Sequence, residues 1–281
     1  MPGKVGEFSL ECALRHKKDL IDLSDLEIEF FLKKRREIEK KKILVLPNCG
    51  FCPGLLNFLI SFFVKKLKKM KKIEVLAGTL SPKKFFYPFL WCFEDLILEH
   101  ELPSIQLING KKKRFLPFSG LEREKFFGIL AESYFAQSGF EQLMKKIKTK
   151  NFIFRVVRPD GFFQFYNFLK NHGFFEKENF KKTKKILESK IEDNLTFGQI
   201  KIKTKKENIF LIIKSFSKKE EKLNSMQKIS IVFPFEILKK MKEEKLKKGL
   251  IFPEDLAKEK FSGEIFENLK NHSLINLKIS S

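Results

Sequence analysis

The sequence predicts an α/β chain that passes into an α+β region: parallel strands with crossover helices first, then a mixed, largely antiparallel sheet with helices packed on it. Three observations predict this. Residues up to Met70 alternate helical and strand patterns in the order αβαβα. From Lys71 the texture changes to short β-type runs separated by turn signals. A length of 281 residues with 43% hydrophobic content is enough to fill more than one core, and no internal repeat is visible.

Taken in order, Glu7 to His16 reads as a helix, followed by an apolar strand Asp19-Leu20-Ile21-Asp22-Leu23 that runs into Ser24-Asp25. A helix is expected from about Leu26 to Lys40, then a β run Ile43 to Leu46, a turn Pro47 to Gly54 and a long helix from Leu55 to about Met70. Strand-like runs follow at 73–78, 105–108 and 152–157, and Asn109-Gly110 is a strong turn signal because both positions favour positive φ. Helical patterns are read at 96–101, 124–130, 163–171 and 180–189, and a strand pair at 200–204 and 209–214. The tail carries a strand-like run Ile229 to Phe233, a helix Pro234 to Lys247, a turn at Gly249 and a helix from about Pro253 to Asn271.

The charge is unusual, with 57 Lys+Arg against 35 Asp+Glu, a formal +22. Such an excess ordinarily prompts a nucleic-acid or anionic-membrane reading. Only seven of the basic residues are Arg, however, and Arg is the residue that makes bidentate contacts with phosphates and base edges. With Phe at 34, the composition reads as drift in an AT-rich genome. The Lys clusters are spread along the chain and read as solvated helix faces, so no sequence-specific nucleic-acid partner is expected. Met1 to Asp19 is broken by charges and has no signal-peptide core, and Phe51 to Val64 is too short to span a membrane. A cytoplasmic protein without a membrane partner is expected.

Few chemical motifs present themselves. Cys49-Gly50-Phe51-Cys52 is a C-x-x-C on a strand-to-helix turn, where redox chemistry is conceivable, but Pro53-Gly54 delays the helix. A zinc site would need a second ligand pair, and neither Cys12, Cys92 nor the four His supplies one. No phosphate-binding G-x-G-x-x-G or G-x-x-x-x-G-K-[ST] occurs. Glu99-His100-Glu101 reads as a solvated helix face. Arg158 follows a strand run and precedes the turn Pro159-Asp160-Gly161; a carboxylate clamp and a salt bridge remain equal readings for it.

The succession Leu20-Ile21-Asp22-Leu23-Ser24, Leu46-Pro47-Asn48-Cys49-Gly50-Phe51-Cys52-Pro53-Gly54-Leu55-Leu56-Asn57, Glu132-Ser133-Tyr134-Phe135 and Val157-Arg158-Pro159-Asp160-Gly161-Phe162, with His172-Gly173-Phe174-Phe175, resembles the saccharopine dehydrogenase family. Phe233-Pro234-Phe235 and Lys248 to Glu254 extend the resemblance toward the end of the chain. It implies a C-terminal fragment of a Rossmann domain over 1–52, a substrate and dimerisation α+β domain over 53–224, and a C-terminal strand and helices over 225–281 that return to the Rossmann part. The N-terminal nucleotide-binding half of the family has no counterpart, and Met1-Pro2-Gly3 is matched to a late strand end.

The resemblance implies hydride transfer at a C–N bond of a small amino-acid substrate, with NAD or NADP. It places Ser24, Asp25, Cys52, Pro53 and Gly54 on the nicotinamide side of the cleft and gives Arg158 the substrate carboxylate. A homodimer is implied. The alternatives are a non-catalytic remnant or dimerisation subunit completed by a separately encoded Rossmann half, and a basic nucleic-acid-binding protein.

Overall fold

The structure, a computed structural model, describes residues 3–67, 70–84, 86–188, 190, 192–243 and 246–280. Expectations that touch Met1, Pro2, residues 68–69, Ser189 or residues 244–245 lie outside these residues. The chain opens with α1 (Gly3–His16), β1 (Leu20–Ile21), α2 (Ile28–Lys41), β2 (Leu44–Leu46) and α3 (Leu55–Val64), the αβαβα order read from the sequence. Then come β3 (Met70–Leu80), α4 (Phe93–Glu99), β4 (Ser104–Ile108), β5 (Lys111–Phe115), β6 (Glu122–Phe126) and β7 (Ile129–Tyr134). The middle continues with α5 (Glu141–Lys146), β8 (Thr149–Pro159), α6 (Phe162–Asn171), α7 (Lys177–Glu188), β9 (Asn194–Lys203) and β10 (Asn208–Ser217). The chain closes with α8 (Ser225–Glu243), β11 (Gly249–Leu250), α9 (Pro253–Leu256), α10 (Ser262–Lys270) and β12 (Asn276–Ser280).

Two sheets organise these elements. The small one, in the order β1-β2-β11, is wholly parallel, with Leu20 opposite Val45 and Leu250 opposite the same Val45 on the other side. The C-terminal segment therefore supplies its third strand. Leu10 and Leu14 of α1, Phe31 and Ile38 of α2 and Val45 of β2 share its core. The large sheet has nine strands along the path β12-β10-β9-β3-β8-β4-β5, with the β6–β7 hairpin attached to β8. Only β3 and β8 are parallel neighbours; the remaining pairs are antiparallel, so the mixed fold class holds. One face packs on helices, with Phe58 of α3 against Phe233 of α8 at 5.1 Å and Phe62 stacked on Phe266 of α10 at 4.6 Å.

Four local expectations are corrected. The run Ile229 to Phe233 is not a strand but the middle of α8, and Pro234 lies inside that helix. Ile229, Val232, Phe233 and Ile237 are all buried, offsets of three, four and eight that only a helix turns to one side; the longer period overrides the β-branched content. Residues 124–130 form the β6–β7 hairpin, not a helix, closing at Phe127-Gly128 with φ of 53° and 84°. The helix expected to reach Met70 stops at Val64, and Met70 opens β3. Gly3 is the first residue of α1, not a strand end. Asn109-Gly110, at φ of 51° and 77°, makes the expected turn between β4 and β5.

Candidate functional site

A cleft of about 1040 Å³ lies where the two sheets meet. Its walls are the C-terminal ends of parallel strands: Leu23 to Asp25 after β1, Asn48 to Pro53 after β2, Ala77 and Gly78 in β3, and Val156 and Arg158 in β8. This is where open α/β sheets place ligands, because loops diverge there.

The two strand ends of the small sheet are tied together by their turns. Cys49 N–H donates to Asp22 O at 2.8 Å, and the Ser24 hydroxyl and N–H both donate to Asp22 Oδ2 at 2.7 and 3.2 Å. Ser24 is buried and packs over Gly6 of α1, where a Cβ would lie 2.1 Å from its Oγ. It lines the cleft, but its hydroxyl is already committed. The turn after β2 closes on Gly54, at φ +130°, where a Cβ would lie 2.3 Å from Gly50 O and 2.7 Å from Asn48 O. Gly54 is therefore required by the turn's own closure and does not line the cleft, whereas Cys52 and Pro53, joined by a cis peptide bond, do. Of the six residues singled out by the resemblance, the structure brings Ser24, Asp25, Cys52, Pro53 and Arg158 to one cleft.

Arg158 is 4% exposed and its Nη2 donates to Glu99 Oε2 at 2.7 Å. Its Nη1 donates to Val157 O at 3.1 Å, and the guanidinium lies 5.4 Å over the Tyr87 ring. Burial works against this charge, but Glu99, with Tyr87 and Tyr134 behind it, holds Arg158 protonated above its ordinary range. Burial pushes the Glu99 carboxyl up while Arg158 pulls it back. The expectation for Glu99-His100-Glu101 is corrected: Glu99 and His100 face inward. His100 is buried, and burial first and then Arg158 push its pKa down to about 3, so it is neutral. Nδ1 sits 2.8 Å from the Leu96 carbonyl, which can only accept, so Nδ1 carries the proton and Nε2 accepts from Tyr134 Oη at 2.8 Å. Phe93, Leu96 and His100, three and four apart, form the buried stripe of α4 and were the signal available in the sequence.

Despite the protein's +22, seven carboxylates line the cleft against three cations. Asp25 is solvent-accessible, but the walls around it withdraw bulk water, and that loss, followed by Asp95 and Glu99, pushes its pKa up to about 7. Burial first, then Glu99 and Asp25, pushes the Cys52 thiol well above its ordinary range, and burial does the same to Cys49. Both thiols stay protonated, which disfavours C-x-x-C redox chemistry. Among the described residues no group of three or more His, Cys, Asp or Glu could hold a metal ion, and no helix is long and apolar enough to cross a membrane.

Six buried polar atoms among the described residues have no hydrogen-bond partner; three of them, on Asn48, Asp95 and Arg158, belong to residues that line the cleft, and a fourth is the hydroxyl of Tyr87, whose ring lies under the Arg158 guanidinium. Arg158 Nε and Tyr87 Oη can donate, while Asp95 Oδ2 and Asn48 Oδ1 accept. Buried polar atoms left unpaired are costly, and their concentration here sets donors and acceptors side by side at the cleft wall.

No family model matches the chain, and no curated protein matches it. Among solved structures, it is similar to the apo, histidine-tagged saccharopine dehydrogenase (L-Glu forming) from Saccharomyces cerevisiae, at 15% identity and a TM-score of 0.72, over 96% of this chain and 81% of that one. The chain thus has a saccharopine dehydrogenase-like fold, with the cleft at its strand ends.

Proposed function

We propose that this chain is the amino-acid-binding part of a saccharopine dehydrogenase-like oxidoreductase acting at a C–N bond. The observation that carries the reading is the cleft's pairing of orphaned donors and orphaned acceptors around Arg158 and Asp95, which suits a zwitterion. The α-carboxylate takes the Nε side of Arg158 and the Tyr87 hydroxyl; Glu99 keeps the Nη2 side and fixes the guanidinium plane. The ammonium lies toward Asp25 and Asp95. With its pKa near neutrality, Asp25 can hold or release a proton next to the reacting nitrogen.

The described residues do not fit a dinucleotide. The entry to α2 lines the cleft with Asp25, Glu27 and Glu29, so the helix end that would favour a pyrophosphate is faced with carboxylates. The reading therefore routes no step at these residues through NAD or NADP, and leaves the nucleotide to residues other than those that line this cleft. Calorimetric titration of the chain with L-glutamate, L-lysine and NADPH tests the proposal. The expected result is one amino-acid site, weakened at least tenfold by Arg158→Lys, and no binding of NADPH alone. Absence of amino-acid binding, both alone and in the presence of NADPH, overturns it.

A further inference from the structure

The lysines that are dispersed in the sequence are not dispersed in the fold. At the end of the large sheet opposite the cleft, the strands bring four separate stretches together. Lys71 and Lys72 open β3, and Lys148 and Lys150 flank the start of β8, which pairs with β3 from Met70↔Thr149 onward. Lys201 and Lys203 end β9, with Lys205 and Lys206 in the turn that follows. The Asn109-Gly110 turn is held to this end by Gly110 N–H donating to Lys150 O at 2.7 Å, and it leads into Lys111 to Lys113 on the edge strand β5. All of these except the half-buried Lys72 are exposed, and among the described residues only Lys72 forms an ion pair, with Glu74 at 2.7 Å. Lys72 and Lys203 stand directly opposite each other across β3 and β9, an arrangement that costs stability.

We propose that this basic sheet end is a docking surface for a nucleic-acid backbone, read through its phosphates without regard to sequence. Lysine suffices for that task, because phosphate contacts need point charge while base reading calls for Arg. From β9 to β5 there are four strand spacings, about 19 Å, which matches about five nucleotides of one strand. A bilayer is the less favoured partner: among the described residues no exposed large apolar side chain lies on β3, β5, β8 or β9, the strands that form this end, so these strands offer nothing suited to enter the headgroup layer.

The test uses a fluorescein-labelled 20-base-pair DNA duplex and anisotropy at several salt concentrations. The full chain is compared with Lys111→Gln/Lys112→Gln/Lys113→Gln and with Lys203→Gln/Lys205→Gln/Lys206→Gln. The control, Lys181→Gln/Lys182→Gln/Lys185→Gln on α7, removes the same charge elsewhere, and circular dichroism checks each fold. The expected result is a log–log salt slope of about −4.5, reduced in magnitude by about 2.7 in either sheet-end variant and unchanged in the control. Equal losses in the control, or sheet-end-dependent binding to phosphatidylserine vesicles with no binding to the duplex, overturn the proposal.

Discussion

The buried pair of Arg158 and Glu99 gives the sharpest handle on the cleft. Their side chains are 5% and 12% exposed, and Nη2 and Oε2 are 2.7 Å apart. Charges about 4 Å apart at an effective dielectric of about 20 attract by about 4 kcal/mol, and removal of one partner from a buried pair ordinarily costs about 3–5 kcal/mol. Glu99→Leu strands the guanidinium, and Arg158→Met strands the carboxylate; each is expected to lower unfolding stability by that amount. The double variant leaves no buried charge and is expected to recover most of the loss, since well-packed apolar replacements of buried pairs are often neutral. Urea denaturation at neutral pH, analysed as a double-mutant cycle, measures the coupling. Two single losses below about 1 kcal/mol that simply add would refute a charge-separated, desolvated pair at the cleft wall.

Three further outcomes follow from the same geometry. Gly54→Ala meets Gly50 O at 2.3 Å with φ held at +130°, and is expected to cost at least about 2 kcal/mol, read as a fall in Tm of about 4–8 °C by calorimetry. His100 has a pKa pushed down to about 3 in the folded state, below its unfolded value near 6.5, so its contribution is complete above about 6.5 and is lost as pH falls toward 3. His100→Phe should flatten that acid limb in urea titrations across the same window, while orphaning the Tyr134 hydroxyl at a cost of about 1–3 kcal/mol. Asp25, raised to about 7, must ionise to hold an ammonium group; amino-acid binding should therefore strengthen from pH 6 to pH 8 and release protons in calorimetry, and Asp25→Asn should abolish both effects.

What could be read from the sequence was what neighbours along the chain decide. The parallel opening and the Asn109-Gly110 turn depend on local periodicity and dihedral demand, and they stand as read, whereas β8 runs on through Arg158 to Pro159 because pairing with β7 extends it past the run read at 152–157. Ile229 to Phe233 misled because a run with four β-branched or aromatic residues in five looks alike in a strand and in a helix; the rest of α8 decides between them. Glu99 and His100 were legible only through their spacing from Phe93 and Leu96, which turns them inward toward Arg158, 59 residues away from Glu99. The basic sheet end was illegible for a topological reason: it is assembled from β3, β5, β8 and β9, and no window of sequence contains it. The acidic cleft was hidden in the same way beneath the net charge.

The central claim is that the cleft takes an amino acid between Arg158 and Asp25. A crystal structure of the chain soaked with L-glutamate tests it most directly. The predicted result is one ligand in the cleft, its α-carboxylate on Arg158 Nε and the Tyr87 hydroxyl and its ammonium beside Asp25 and Asp95. An empty cleft at saturating ligand, or an amino acid bound with its carboxylate away from Arg158, would contradict the account.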